Sequence, residues 1–165
     1  MKIFKLAVWT VLFFILQTVF ADAIRLYGCV PDLLTVFAMI YSFYETDKTY
    51  LLFTVLACGI LAGSGVGREF STVVLFTALS CSAVHLSSEH FRFIPGFIRL
   101  FTVITVFVFI LGLSEFFIAG RGFSAIGLVN KILPYTIYTI ITGLIMYPFM
   151  MRTILYKPRK KLTVV

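Results

Sequence analysis

Few side chains in this 165-residue chain are equipped for chemistry, and their spacings limit what they can do. His85, Glu89 and His90 form the one cluster with metal-ligand character. A zincin-type site needs histidines at i and i+4 on one helix face. Here the two histidines are five residues apart, roughly 140° around a helix, and point to different sides. The H-x-x-E-H arrangement is one residue shorter than this run. His85 and Glu89 therefore read as an i,i+4 pair at a span end. Ser64, set among Ala62, Gly63 and Gly65, has the small-residue setting of an intramembrane nucleophile. Such a serine needs a histidine base from a suitably placed span, and neither histidine fits, so these small residues read as helix packing. Asp22 and Asp32 fall near one membrane face, as a catalytic carboxylate pair would. The asparagine and arginine motifs that accompany such a pair in membrane peptidases are missing. Asp32, after Pro31, reads instead as the start of a helix, with Pro31 in the first helical position and the carboxylate complementing the helix dipole. Cys29, Cys58 and Cys81 are odd in number and widely spaced, without disulfide or zinc spacing. No cofactor and no metal are expected.

Composition says which elements must position these residues. Hydrophobic residues make up 61% of the chain and charged residues 13%, with a mean hydropathy of +1.05. A soluble domain has about 45–50% apolar and about 25% charged residues. The chain therefore reads as an all-α polytopic membrane protein of about six transmembrane helices with short loops, at about 20 apolar residues per span. The spans are expected near Leu6–Ala21, Pro31–Tyr44, Tyr50–Val66, Phe70–Leu86, Phe97–Ile118 and Ile126–Met151. Residues 1–151 form one transmembrane domain, and residues 152–165 a basic cytoplasmic tail. The second span is short and is expected to thin the bilayer or form half of a re-entrant hairpin. Lys2 and Lys5, an apolar stretch and Ala21-Asp22-Ala23 have the outline of a secretory signal. Bulky Phe13, Phe14, Val19 and Phe20 favour retention as a first transmembrane helix.

The formal charge of +7 reads as topology rather than nucleic-acid binding. With both termini cytoplasmic, ten cations (Lys2, Lys5, Lys48, Arg92, Arg99, Arg152, Lys157, Arg159, Lys160 and Lys161) lie inside and four (Arg25, Arg68, Arg121 and Lys131) outside. Arg152, Lys157, Arg159, Lys160 and Lys161 form a basic membrane-surface anchor. Gly59, Gly63 and Gly67, spaced by four, predict a close helix contact, with the partner helix left open between this chain and another. Gln17 is expected to bond a neighbouring helix, and Glu115 to lie near the headgroups. Pro134 and Pro148 are expected to kink the last span near its ends. The loop Ser87–Phe97, which mixes aromatics with Arg92, is the best cytoplasmic docking surface.

In order along the chain come Leu16-Gln17 late in the first span, and Pro31-Asp32-Leu33-Leu34 opening a second span with Tyr41 and Tyr44. A glycine-rich third span (Gly59, Gly63, Gly65) follows, and then Ser71. In length, span number and landmark order the sequence resembles the bacterial rod shape-determining protein MreD. The run Gly65-Val66-Gly67-Arg68-Glu69 departs from that family's pattern, which places an aspartate after the glycine-rich span. The resemblance implies a non-enzymatic scaffold of the cell-elongation complex in the bacterial inner membrane. Its partners would be MreC, MreB, RodA and a penicillin-binding protein, with Gln17, Pro31, Asp32, Gly59 and Gly63 as interaction and architecture residues. The alternative is the substrate-binding subunit of an energy-coupling-factor vitamin transporter. Those subunits dock through small residues spaced by three in the first span, a repeat that Ala7 and Ala21 do not make.

Overall fold

The computed structural model describes residues 2–19, 23, 29–64, 70–90, 95–118 and 128–154, with the backbone alone at residues 2, 89, 115–118 and 128. Among these residues every regular element is helical: α1 (Lys2–Thr18), α2 (Leu33–Tyr44), α3 (Lys48–Gly63), α4 (Phe70–His90), α5 (Gly96–Ile118) and α6 (Leu133–Thr153). A five-residue π-helical turn, Leu128–Ile132, leads into α6, with Pro134 in that helix's first turn and Pro148 inside it.

Three segments are long and apolar enough to cross a membrane: Phe70–Ser88, Gly96–Ser114 and Val129–Thr153. The helices α1, α2 and α3 are apolar but shorter, at 17, 12 and 16 residues. At 1.5 Å per residue α2 is about 18 Å long, well short of a hydrocarbon core of about 30 Å.

The position of α2 accounts for its length. It touches α1, α3, α4, α5 and α6, and these outer helices pack on one another in the order α1, α3, α4, α5, α6. Among the described residues α6 and α1 do not meet, so the ring is open there. Every residue from Pro31 to Phe43 is buried, and Leu34, Phe37, Met39, Ile40 and Tyr41 are fully enclosed. A helix that is apolar on all sides belongs inside. The shortness expected of the second span is observed, in a helix enclosed by its neighbours. With no lipid-facing side, α2 has no hydrophobic mismatch to relieve, and its ends can stop wherever the protein satisfies them.

The outer helices are patterned in the opposite sense to those of a water-soluble bundle. On α4, Val73, Thr77, Ser80, Cys81 and Val84 are buried, while Leu75, Leu79 and Leu86 are more than half exposed. On α6, Thr136, Thr139 and Gly143 face inward while Ile137, Ile141 and Ile145 face outward. Small and hydroxyl-bearing residues inside allow close helix approach, and aliphatic side chains outside suit lipid. Buried hydroxyls are met locally: Ser80 donates to the Thr77 carbonyl at 3.0 Å and Thr136 to that of Ile132 at 2.8 Å.

Candidate functional site: the two ends of the central helix

A helix leaves its first four N–H groups without intrahelical partners, and inside a membrane water cannot take them. At the start of α2 all are satisfied by the chain. Leu33 N–H reaches the Pro31 carbonyl at 3.1 Å, and Val36 N–H the Asp32 carbonyl at 3.2 Å. Thr35 N–H donates to Asp32 Oδ1 at 3.2 Å, which makes Asp32 the N-cap. Leu34 N–H donates to Gln17 Oε1 of α1 at 3.1 Å. Asp32 N–H points at Thr139 Oγ1 of α6, 3.5 Å away, and Thr35 Oγ1 lies 3.3 Å from Thr77 Oγ1 of α4. Asp32 itself is fully buried. One end of α2 thus gathers α1, α4 and α6 around a carboxylate.

Capping by Asp32 and helix bonding by Gln17 match the reading from sequence. Pro31 does not sit in the first helical position: it precedes the N-cap, and its carbonyl serves Leu33. The preference of a residue before proline for extended backbone suits this approach to a helix.

At the other end of α2, Tyr41 donates to Glu45 Oε2 at 2.5 Å, while Glu45 Oε1 accepts from the N–H groups of Thr46 and Asp47, each at 3.1 Å. His85 Nδ1 lies 3.2 Å from the Ser42 carbonyl, so α4 is tied to α2 by an imidazole N–H. Glu89, the partner expected for His85, has no described side chain. No group of three or more His, Cys, Asp or Glu able to hold a metal occurs among the described residues. Tyr44 and Tyr147 bring their hydroxyls to 2.6 Å, joining α2 to α6.

The glycine stripe finds its partner inside the chain. A Cβ on Gly59 would meet Val74 Cα of α4 at 3.5 Å, an ordinary contact. At Gly63 it would meet the Phe70 ring at 3.0 Å and the Phe70 carbonyl oxygen at 3.1 Å. Both glycines therefore hold α3 against α4. Gly67 lies outside the described residues, as do Lys157, Arg159, Lys160 and Lys161. Arg152 is exposed in the last turn of α6. Glu115 is on α5, without a described side chain.

Sequence reasoning missed the α6 side of this arrangement. Thr136, Thr139 and Gly143 recur at spacings of three and four, a small-residue stripe as legible as that of the third span. A Cβ on Gly143 would lie 2.9 Å from Val36 Cγ1. A cavity of about 570 Å³, lined by residues from Val129 to Ile141, lies on the side of α6 turned away from α2.

Helices of membrane-crossing length, aliphatic outside and hydroxyl-rich inside, define the class: a helical membrane protein built around an enclosed helix. Comparison with protein-family models, curated proteins and solved structures gives no significant match.

Proposed function

We propose that this protein is a non-enzymatic scaffold of the bacterial cell-elongation complex, an MreD-like protein of the inner membrane. In this reading the chain crosses the membrane six times with both termini in the cytoplasm. It links MreC and MreB to RodA and its penicillin-binding partner. One observation carries the reading. The landmarks behind the resemblance, Gln17 and Pro31-Asp32, are used together to fasten one end of a central helix, and the glycines of the third span fasten α3 to α4. A landmark set spent on internal bracing suits a protein that works by presenting a fixed outer surface to partners.

Affinity purification of the C-terminally tagged protein from gently solubilised membranes, with mass spectrometry of what accompanies it, tests this. The expected companions are MreC, MreB or wall synthases. Paired ATPases with a coupling membrane subunit, and no wall proteins, would replace the scaffold with a vitamin-importer subunit.

A further inference from the structure

The hollow on the outward side of α6 lies where that helix departs from regular geometry. The π-helical turn Leu128–Ile132 and Pro134 interrupt the α-helical ladder there, and both are recognised causes of bending in helices. Its volume of about 570 Å³ falls among those of ligand pockets, about 300–1,000 Å³. Leu133, Ile137 and Ile141, all exposed on the outside of the bundle, line its length, and Asn130 and Tyr138 are its polar members. Lys131, next to Asn130, is exposed in the same turn. Neither the π-helical turn nor the first turn of α6 carries an acidic residue. The described carboxylates serve elsewhere: Asp32 caps α2 inside the bundle, and Glu45 and Asp47 lie at the opposite end of α2.

Dimensions decide between occupants. From Val129 to Ile141 the lining runs about 18 Å along the helix, close to the depth of about 15 Å of one hydrocarbon leaflet. Volume over length leaves a mean cross-section of about 30 Å². A partner helix, about 10–12 Å across with its side chains, takes up about 80 Å² or more, so it would rest over the hollow without filling it. A single hydrocarbon chain is thin enough to enter. The segment Val129–Thr153 is of membrane-crossing length, which puts its first turn, with Lys131, at headgroup depth. A chain seated along Leu133, Ile137 and Ile141 would bring its headgroup phosphate beside Lys131. A cation at that depth favours anionic lipid.

We propose that the hollow on α6 holds one acyl chain of an anionic phospholipid, with Lys131 and Asn130 at its headgroup. This assignment does not depend on the scaffold reading. The test uses the full-length protein purified in detergent and titrated separately with phosphatidylglycerol, phosphatidylcholine and glycerol phosphate, a headgroup anion without chains. Thermal unfolding and retained-lipid counting by native mass spectrometry are the readouts. Phosphatidylglycerol is expected to leave one firmly held lipid per chain and to raise the unfolding midpoint more than phosphatidylcholine. Lys131→Gln should weaken phosphatidylglycerol retention about fivefold, to the level of phosphatidylcholine. Ile137→Trp, which fills the hollow, should expel both lipids. Ile145→Trp, the same change on the outward side beyond the lining, should leave both in place. Equal retention of the two lipids by the wild-type protein would overturn the proposal without recourse to any variant. Undiminished retention in a folded Ile137→Trp would do the same, and a response to glycerol phosphate matching that to phosphatidylglycerol would remove the acyl chain from the assignment. A dimer that forms without lipid and that Ile137→Trp dissolves would give the hollow to a second copy of the chain instead.

Discussion

Asp32 is a carboxylate enclosed by protein, and its hydrogen bond to Thr35 N–H gives it a structural task that other side chains can be asked to perform. Asparagine offers the same acceptor and alanine offers none. We expect Asp32→Ala to lower stability by about 0.5–2 kcal/mol and Asp32→Asn to recover most of the loss, measured by unfolding in mixed micelles followed by helical ellipticity. The two glycines of α3 should separate in the same assay. Gly59→Ala places its methyl at ordinary contact distance and gains about 0.5–1 kcal/mol from helix propensity. Gly63→Ala must push against Phe70 backbone and should cost about 1–3 kcal/mol. A stripe that bound only a separate protein would leave the stability of the isolated chain alike in both variants. The cap was legible because proline and aspartate immediately precede an apolar run. The Thr139 contact was not, because it joins residues 107 positions apart and no local pattern records it.

At the level of elements, the helices fall close to the apolar runs, and the ends differ for local reasons. The first helix already includes Lys5, ahead of the apolar run that begins at Leu6, since lysine is a good helix former. The third ends at Gly63, three residues before the end expected at Val66. The centrality of α2 was hidden, because residues 33–44 read equally well as a lipid-facing helix or an enclosed one; only their number hinted at the second. Enclosure has a measurable consequence. Hydrogen exchange in detergent should find the amides of Leu34–Phe43 the slowest in the protein, since they open only when the outer helices separate. Slower exchange in α5 or α6 than in α2 would contradict the central position.

For the whole molecule, alternate helices run in opposite directions, so that the start of α2 shares one end with Lys131 and the end of α2 shares the other with His85 and Arg99. Cys29 lies at the Lys131 end, with its Sγ 3.6 Å from the Lys131 carbonyl oxygen, whereas Cys58 and Cys81 are enclosed. In the orientation proposed here that end is outside. A membrane-impermeant maleimide should label Cys29 in spheroplasts and leave Cys58 and Cys81 untouched; labelling only after permeabilisation would reverse the orientation. Burial raises the Cys29 thiol above its ordinary value and outweighs the lowering effect of Lys131. The reactive thiolate should therefore become abundant at higher pH than for an unperturbed cysteine, and the labelling rate should climb accordingly.

The enclosure of α2 also bears on how the protein is made. Its twelve residues are too few to settle across a bilayer as a separate helix. The contacts that hold it include Thr139 and Gly143, which leave the ribosome more than a hundred residues later. The enclosure of the second helix to be synthesised is therefore completed only after α6 has emerged. A nascent chain stalled before that point carries an unhoused apolar segment, the feature that membrane chaperones and quality-control proteases are suited to find.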